Sequence, residues 1–262
     1  MKLIWLTDIH FDFLSRRQQA AYLARLAEQA PQAVLLGGDL STAPRLAEDL
    51  KAIGVALQVP IYFILGNHDF YYGSIEKIRR QVRRLSHQRK ELFWLEDAGC
   101  IHLTDEAALV GHGCWGDGKA GDYWRSSLEL TDFFVIEEFK ELDKSERLQL
   151  MNSLGDEAAN YLGRFCREAA RRFRRVIVLT HVTPFFETCL HEGRSDPEGL
   201  PFFCCQNAGE AITRVAMDFP DVEFIVLSGH THSQAHMQIL PNLKSLVQGA
   251  QYYKPSFKLL EV

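Results

Sequence analysis

The chain lacks any run of about 18 apolar residues, the length a helix needs to cross a bilayer, so no spanning helix is expected. Met1–Lys2 leads at once into an apolar run, with no hydrophobic region closed by a small-residue cleavage site. That points to a cytoplasmic protein. No sign of charge dominates: 29 Lys and Arg face 34 Asp and Glu, a net charge of −5. Broad attraction for nucleic acid or anionic lipid is therefore not favoured. Cysteine is sparse, and Cys100, Cys114, Cys166, Cys189, Cys204 and Cys205 show no CxxC spacing. They read as reduced packing residues rather than a thiolate metal site, although the adjacent Cys204–Cys205 warrants a check of thiol reactivity. Internal repeats and low-complexity tracts are also missing. With nine prolines and 47% hydrophobic residues in 262 positions, the chain can bury a substantial core.

What is present is a rhythm. Leu3–Leu6, Ala33–Leu36 and Ile61–Leu65 are short apolar runs of strand length. Between and after them, apolar residues recur at helical spacing: Leu23, Leu26, Ala27 and Ala30; Leu46, Leu50, Ile53 and Leu57, opening near Pro44; and Ile75, Ile78, Val82 and Leu85, with Ser74 placed as an N-cap. Strand–helix repetition predicts an α/β fold with parallel strands and right-handed crossovers. After residue 90 the pattern shifts to short strands at Leu92–Leu95, Cys100–Leu103 and Ala107–Gly111. Residues 113–156, rich in aromatic and acidic side chains, read as a cap-like insertion in a single domain spanning 1–262. Val135, Phe139 and Leu142 suggest a helix within it, and Leu162, Phe165, Cys166, Ala169 and Phe173 mark another after it. Strands follow at Val176–Leu179 and Phe224–Leu227, separated by a long irregular stretch at 182–206. Stretches of that length are functional or disordered. A closing antiparallel meander is expected over Ala235–Leu240, Lys244–Val247 and Phe257–Val262.

Ligand-type side chains stand at the ends of the strands: Asp8 and His10, Gly38–Asp39, Gly66–Asn67–His68–Asp69, His181, and Gly229–His230–Thr231–His232. Open α/β sheets form their sites outside the carboxyl ends of strands. Asp8, His10, Asp39, Asn67, His181, His230 and His232 supply enough N and O donors for two cations, and the two oxygens of Asp39 can bridge them. Such donors, without thiolate, suit Mn, Fe or Zn better than Ca. Two divalent ions, less the charges of Asp8, Asp39 and a bridging hydroxide, leave a site of about +1 that attracts a phosphate ester. Taken singly, an Asp after Gly is a turn residue and a buried His a packing residue. Five segments repeating the pattern at strand ends argue otherwise. His87, His102, His191 and His236 lack that context and read as surface or packing residues, with His112 intermediate.

Together these motifs resemble the calcineurin-like metallophosphoesterase family, across nearly the whole chain. The resemblance implies a four-layer αββα sandwich of two mixed β-sheets flanked by helices. It implies one metal on Asp8, His10, Asp39 and His232, and a second on Asp39, Asn67, His181 and His230. His68 would be catalytic rather than a ligand, protonating the leaving oxygen or stabilising the phosphoryl group. Asp69 is left two roles, orienting His68 or entering a helix. The chain departs from the phosphoprotein phosphatase branch, reading Leu40–Ser41–Thr42–Ala43–Pro44 after Asp39 and having Asp69, not Glu, after Asn67–His68. A dinuclear phosphoesterase acting through a metal-bridging hydroxide is expected, closer to the phosphodiesterases and small-molecule phosphatases than to the protein phosphatases. Its partner would be a small phosphate ester. One alternative is a nuclease using the rows Arg79, Arg80, Arg83, Arg84, Arg89 and Lys90, and Arg164, Arg167, Arg171, Arg172, Arg174 and Arg175, which otherwise read as solvated faces. Another is a non-catalytic scaffold, disfavoured because no ligand is missing. Phe185, Phe186, Phe202, Phe203, Trp115 and Trp124 are open between pocket wall and core.

Overall fold

The computed structural model describes residues 1–191 and 193–262. Two mixed sheets pack face to face. The first has the order β11–β1–β2–β3–β4, built from β1 (Lys2–Leu6), β2 (Ala33–Gly37), β3 (Ile61–Ile64), β4 (Leu92–Trp94) and β11 (Lys258–Glu261). The second has the order β5–β6–β7–β8–β10–β9, from β5 (Ile101–Thr104), β6 (Ala107–His112), β7 (Arg175–Thr180), β8 (Glu223–Ser228), β9 (Ala235–Leu240) and β10 (Leu243–Val247). β1 through β4 run parallel, as do β6, β7, β8 and β10.

The strands are apolar on both faces because both faces are covered. Leu3, Trp5, Ala33 and Leu35 point between the sheets toward Leu109, Ile177, Leu179 and Leu227. The alternate residues Ile4, Leu6, Val34 and Leu36 meet the apolar stripes of α1 (Arg16–Glu28), α2 (Ala43–Leu57) and α3 (Ile75–Gln88). On the far side, Val176, Val178, Phe224 and Val226 pack with α6 (Lys144–Ala170) and α8 (Gln206–Asp218). The result is helix, sheet, sheet, helix, as the resemblance implied. Shorter helices are α4 (Leu95–Ala98), α5 (Asp132–Val135) and α7 (Leu200–Phe203). No helix among the described residues is long and apolar enough to cross a membrane.

Three expectations are corrected. The end of the chain is not a meander: β9 and β10 form an antiparallel pair in the second sheet, whereas β11 crosses to the first and pairs antiparallel with β1, Ile4 opposite Leu259. The helix suggested by Val135, Phe139 and Leu142 is a single turn, α5, because the chain then folds back on residues 72–76. There Tyr72 N–H donates to Val135 O, Glu137 N–H to Gly73 O, and Glu138 accepts from Ile75 N–H. The next helix starts much earlier than its apolar residues indicated. Asp143 and Glu146 form a capping box that opens α6, and Met151, Leu154 and Ala158 carry its buried face.

The topology brings the carboxyl ends of β1, β2, β3, β7 and β8 to one edge. Hydrogen bonds tie these ends together, within each sheet and between the two. Asp8 N–H donates to Gly38 O at 3.0 Å, Gly229 N–H to His181 O at 3.0 Å, and His181 Nδ1 to Gly37 O at 2.9 Å.

Candidate metal centre

All seven sequence-predicted ligands meet at that edge. Asp8 Oδ1 lies 3.3 Å from His232 Nε2, which lies 3.3 Å from His10 Nε2. Asp39 reaches both halves of the cluster: Oδ2 is 3.9 Å from His10 Nε2, and Oδ1 is 3.3 Å from His181 Nε2. His181 Nε2 also lies 3.2 Å from His230 Nδ1 and 3.3 Å from Asn67 Oδ1. The donor atoms of Asp8, His10 and His232, and of Asp39, His181 and His230, form two tight sets.

Local backbone geometry holds them there. Asp8, His10, Asp39, His230 and His232 all have left-handed backbones, with φ of 52°, 44°, 50°, 71° and 56°. Each costs about 1–3 kcal/mol, and such residues cluster where function requires a side chain to be aimed. The glycines beside them are required by close approach. A Cβ on Gly66 would stand 2.7 Å from His181 Cε1 and 2.6 Å from Asp39 N, and would overlap Asp39 Oδ1. A Cβ on Gly229 would overlap Asp8 Oδ2 and Thr7 Oγ1.

Two buried carboxylates, Asp8 and Asp39, share this edge with five imidazoles. Burial works against ionising Asp39, yet His181, His68 and His10 hold its carboxyl well below the usual range. Asp8 is held low in the same way by its bond to His232. Burial works against a charge on His181 as well, and the charge and hydrogen bond of Asp39 outweigh it, lifting the imidazole to about 10. Burial pushes His10 down to about 4 and, with the nearby His181, His230 down to about 3. Those two imidazoles keep a lone pair for a metal at pH 7, whereas His181 must give up the proton that Asp39 holds on it before it can bind one. Ligands about 2.0–2.1 Å from one ion stand roughly 3.0–3.4 Å apart. The separations of 3.2 and 3.3 Å between facing donors match that spacing. The residues therefore fit a pair of divalent metal ions.

His68 sits beside this cluster, its side chain 17% exposed and its Nε2 4.0 Å from Asp39 Oδ2. Its ring stacks on Tyr71 at 4.2 Å and meets His10 edge-on at 4.6 Å. Asp69 does not orient it. The Asp69 carboxylate accepts from Leu40 N–H, Ser41 N–H and Gly66 N–H at 2.9, 3.0 and 2.9 Å, tying the loop after β2 to the loop after β3.

A cavity of about 300 Å³ opens over the cluster. Asp39, Asn67, His68, His230 and His232 form its floor. Tyr71, Leu130, Thr131 and Asp132 wall one side, and Leu190, His191, Leu200 and Phe203 the other, with Tyr252 at the rim. Of the six loop aromatics only Phe203 lines it. Phe185, Phe202 and Trp115 are core, and Phe186 and Trp124 are exposed elsewhere. His191, read from sequence as surface or packing, lines the wall. His112 turns away, with Nδ1 accepting from Cys114 N–H and Nε2 near Glu96. Tyr71, Asp132 and Tyr252 were missed, since no motif marks them. Tyr252 packs on His10 and His232 at 4.7 and 5.0 Å from the distant C-terminal segment. Cys204 and Cys205 are both buried, and burial raises the Cys204 thiol well above its ordinary range.

No curated protein sequence matches this chain. Among solved structures, a dimetal phosphatase from Danio rerio superposes with a TM-score of 0.63 at 12% identity, covering 99% of this chain and 91% of that one. Phosphopantetheinyl hydrolase from Mycobacterium tuberculosis superposes with a TM-score of 0.67 at 11% identity, covering 95% and 89%. At such identities the likeness is one of fold. The model of the calcineurin-like phosphoesterase family matches residues 1–234. The chain therefore belongs to the calcineurin-like phosphoesterase family and is a metal-dependent phosphoric ester hydrolase.

Proposed function

We propose that the protein hydrolyses a small phosphodiester whose leaving group is uncharged. Asp8, His10, Asp39 and His232 would hold one ion, and Asp39, Asn67, His181 and His230 the other. Mn, Fe or Zn suits a donor set rich in imidazole. Bound there, the pair would supply Lewis acidity at the phosphoryl oxygens and an acidified water. The protein's own groups do the rest. Neutral His10 and His230 present lone pairs, and the two oxygens of Asp39 face the two donor sets. His68, partly exposed at the cavity floor, would donate a proton to the leaving oxygen. Residues 113–156 act as a cap on a single domain; Leu130, Thr131 and Asp132 from it, with Leu190, His191, Leu200 and Phe203, shape the cavity.

The observation that carries the choice of substrate is the wall. No lysine or arginine is among the described residues lining the cavity. A site of about +1 matches the single negative charge of a diester. A monoester dianion, or a nucleotide with further phosphates, would bring charge that no lysine or arginine there meets. A cavity of about 300 Å³ walled on two sides also suits a small ester better than a folded phosphoprotein. The arginine rows do not revive the nuclease reading. Arg79 pairs with Glu157, Arg83 with Asp97, Arg167 with Asp218 and Arg175 with Glu223, and none of the rows reaches the cavity.

The test is a comparison of kcat/KM with Mn for bis(p-nitrophenyl) phosphate, p-nitrophenyl phosphate and ATP. The diester is expected to lead by tenfold or more. A monoester or ATP preference of that size would overturn the reading.

A further inference from the structure

An asparagine can serve a cation only with its oxygen; turned over, it presents an NH2 group, which repels one. Something must therefore fix the amide of Asn67. Asp132 does so in this structure. It comes from α5, in the segment between β6 and α6, and is 3% exposed. Its Oδ1 accepts from Asn67 Nδ2 at 3.0 Å and from the Tyr71 hydroxyl at 2.8 Å. A carboxylate accepts and does not donate, so the amide nitrogen turns to Asp132 and Oδ1 of Asn67 is left facing His181 Nε2 at 3.3 Å. Tyr71, held by the same oxygen, stacks its ring on His68 with 23° between the planes.

We propose that Asp132 is a positioning residue of the metal centre: it holds Asn67 oxygen-first toward the cations and, through Tyr71, sets the ring of His68. The proposal rests on Asn67 being a metal ligand, as argued above. It gives the segment between β6 and α6 a role beyond walling the cavity, because one carboxylate from that segment reaches a ligand on the loop after β3. Loss of a partner that orients a ligand typically weakens metal binding 10–100-fold.

The experiment titrates metal-stripped, full-length protein with Mn by calorimetry and follows the coupled ion pair by electron paramagnetic resonance. Wild type is expected to bind two ions and show the coupled signal. Asp132→Ala is expected to bind one ion as before and the other 10–100-fold more weakly, with the coupled signal lost. The exchanged pair, Asn67→Asp with Asp132→Asn, again sets a donor against an acceptor and is expected to recover both ions. Glu138→Gln loosens the same segment at a point away from the cavity and is expected to keep both. Two tightly bound ions in Asp132→Ala would overturn the proposal, as would an exchanged pair no better than Asp132→Ala, or equal loss in Glu138→Gln. Fewer than two ions in wild type would instead overturn the ligand assignment on which it stands. Should Asp132→Ala fail to fold, Asn67→Asp alone, which sets two acceptors against each other, takes its place: it is expected to bind the second ion more weakly than the exchanged pair, and equal binding by the two would overturn the proposal.

Discussion

Replacing Gly66 by alanine puts one methyl group where the site has no room. The new Cβ would stand 2.6 Å from Asp39 N and 2.7 Å from His181 Cε1, and would overlap Asp39 Oδ1. Ordinary carbon contacts begin near 3.5 Å, so neighbours must shift by roughly 1 Å. Two of the three are backbone or buried carboxylate and cannot swing aside. Overpacking of this kind costs about 1–3 kcal/mol. For a chain of this size that lowers the Tm of the metal-free protein by roughly 3–10 °C. The displaced group is Asp39, whose Oδ1 accepts from His68 N–H at 2.9 Å and meets His181 at 3.3 Å. Metal retention should therefore fall together with stability. Gly163 is the control. It lies inside α6, where a Cβ would meet only Ala211 Cβ at 3.6 Å. Gly163→Ala should gain about 0.5–1 kcal/mol from helix propensity and keep its metals. Scanning calorimetry of the stripped proteins and elemental analysis of the loaded ones measure both quantities. A Gly66→Ala protein with unchanged Tm and a full metal complement would refute the packing argument.

Glu138 accepts from Ser74 Oγ, Ile75 N–H and Glu76 N–H at the start of α3, and these bonds hold its pKa below the ordinary value although burial opposes them. A lowered folded pKa stabilises above the unfolded pKa and is lost as pH falls through the folded one. Glu138→Gln should thus cost about 1 kcal/mol at pH 7 in urea unfolding, with the gap closing as pH falls through the lowered folded pKa; a gap that stays as large in acid as at pH 7 would contradict this. Tyr252→Ala removes a ring that packs on His10 and His232, and is expected to raise KM for the aryl diester several-fold with two ions still bound. His68→Ala is expected to lower kcat by 10²–10⁴ while leaving metal content intact; loss of metal would instead make His68 a ligand.

The sequence shows the site more plainly than the frame around it. Asp8, His10, Asp39, Asn67, His181, His230 and His232 are legible because each follows a strand whose apolar run ends in polar residues. Parallel strands must deliver such residues to one edge. Helices α2 and α3 are legible from their stripes and from Pro44 and Ser74. The start of α6 is hidden because its first turns, Lys144–Leu150, carry few buried residues, although Asp143 and Glu146 spell a capping box. β11 reads like the next strand of a meander; only tertiary pairing with β1 sends it to the other sheet. Tyr71, Asp132 and Tyr252 leave no trace in local pattern, since their roles come from contacts between distant segments. The left-handed backbones at five of the seven proposed ligands are equally silent, because Asp and His at such φ are imposed by the loops around them.

The central claim is that Asp39 joins two cations in one nest. Elemental analysis of protein purified without chelator, wild type beside Asp39→Ala, tests it most directly. Two transition-metal ions per wild-type chain and fewer than one in the variant are the expected result, with diester hydrolysis lost in parallel. An Asp39→Ala protein that keeps two ions and full turnover would contradict it.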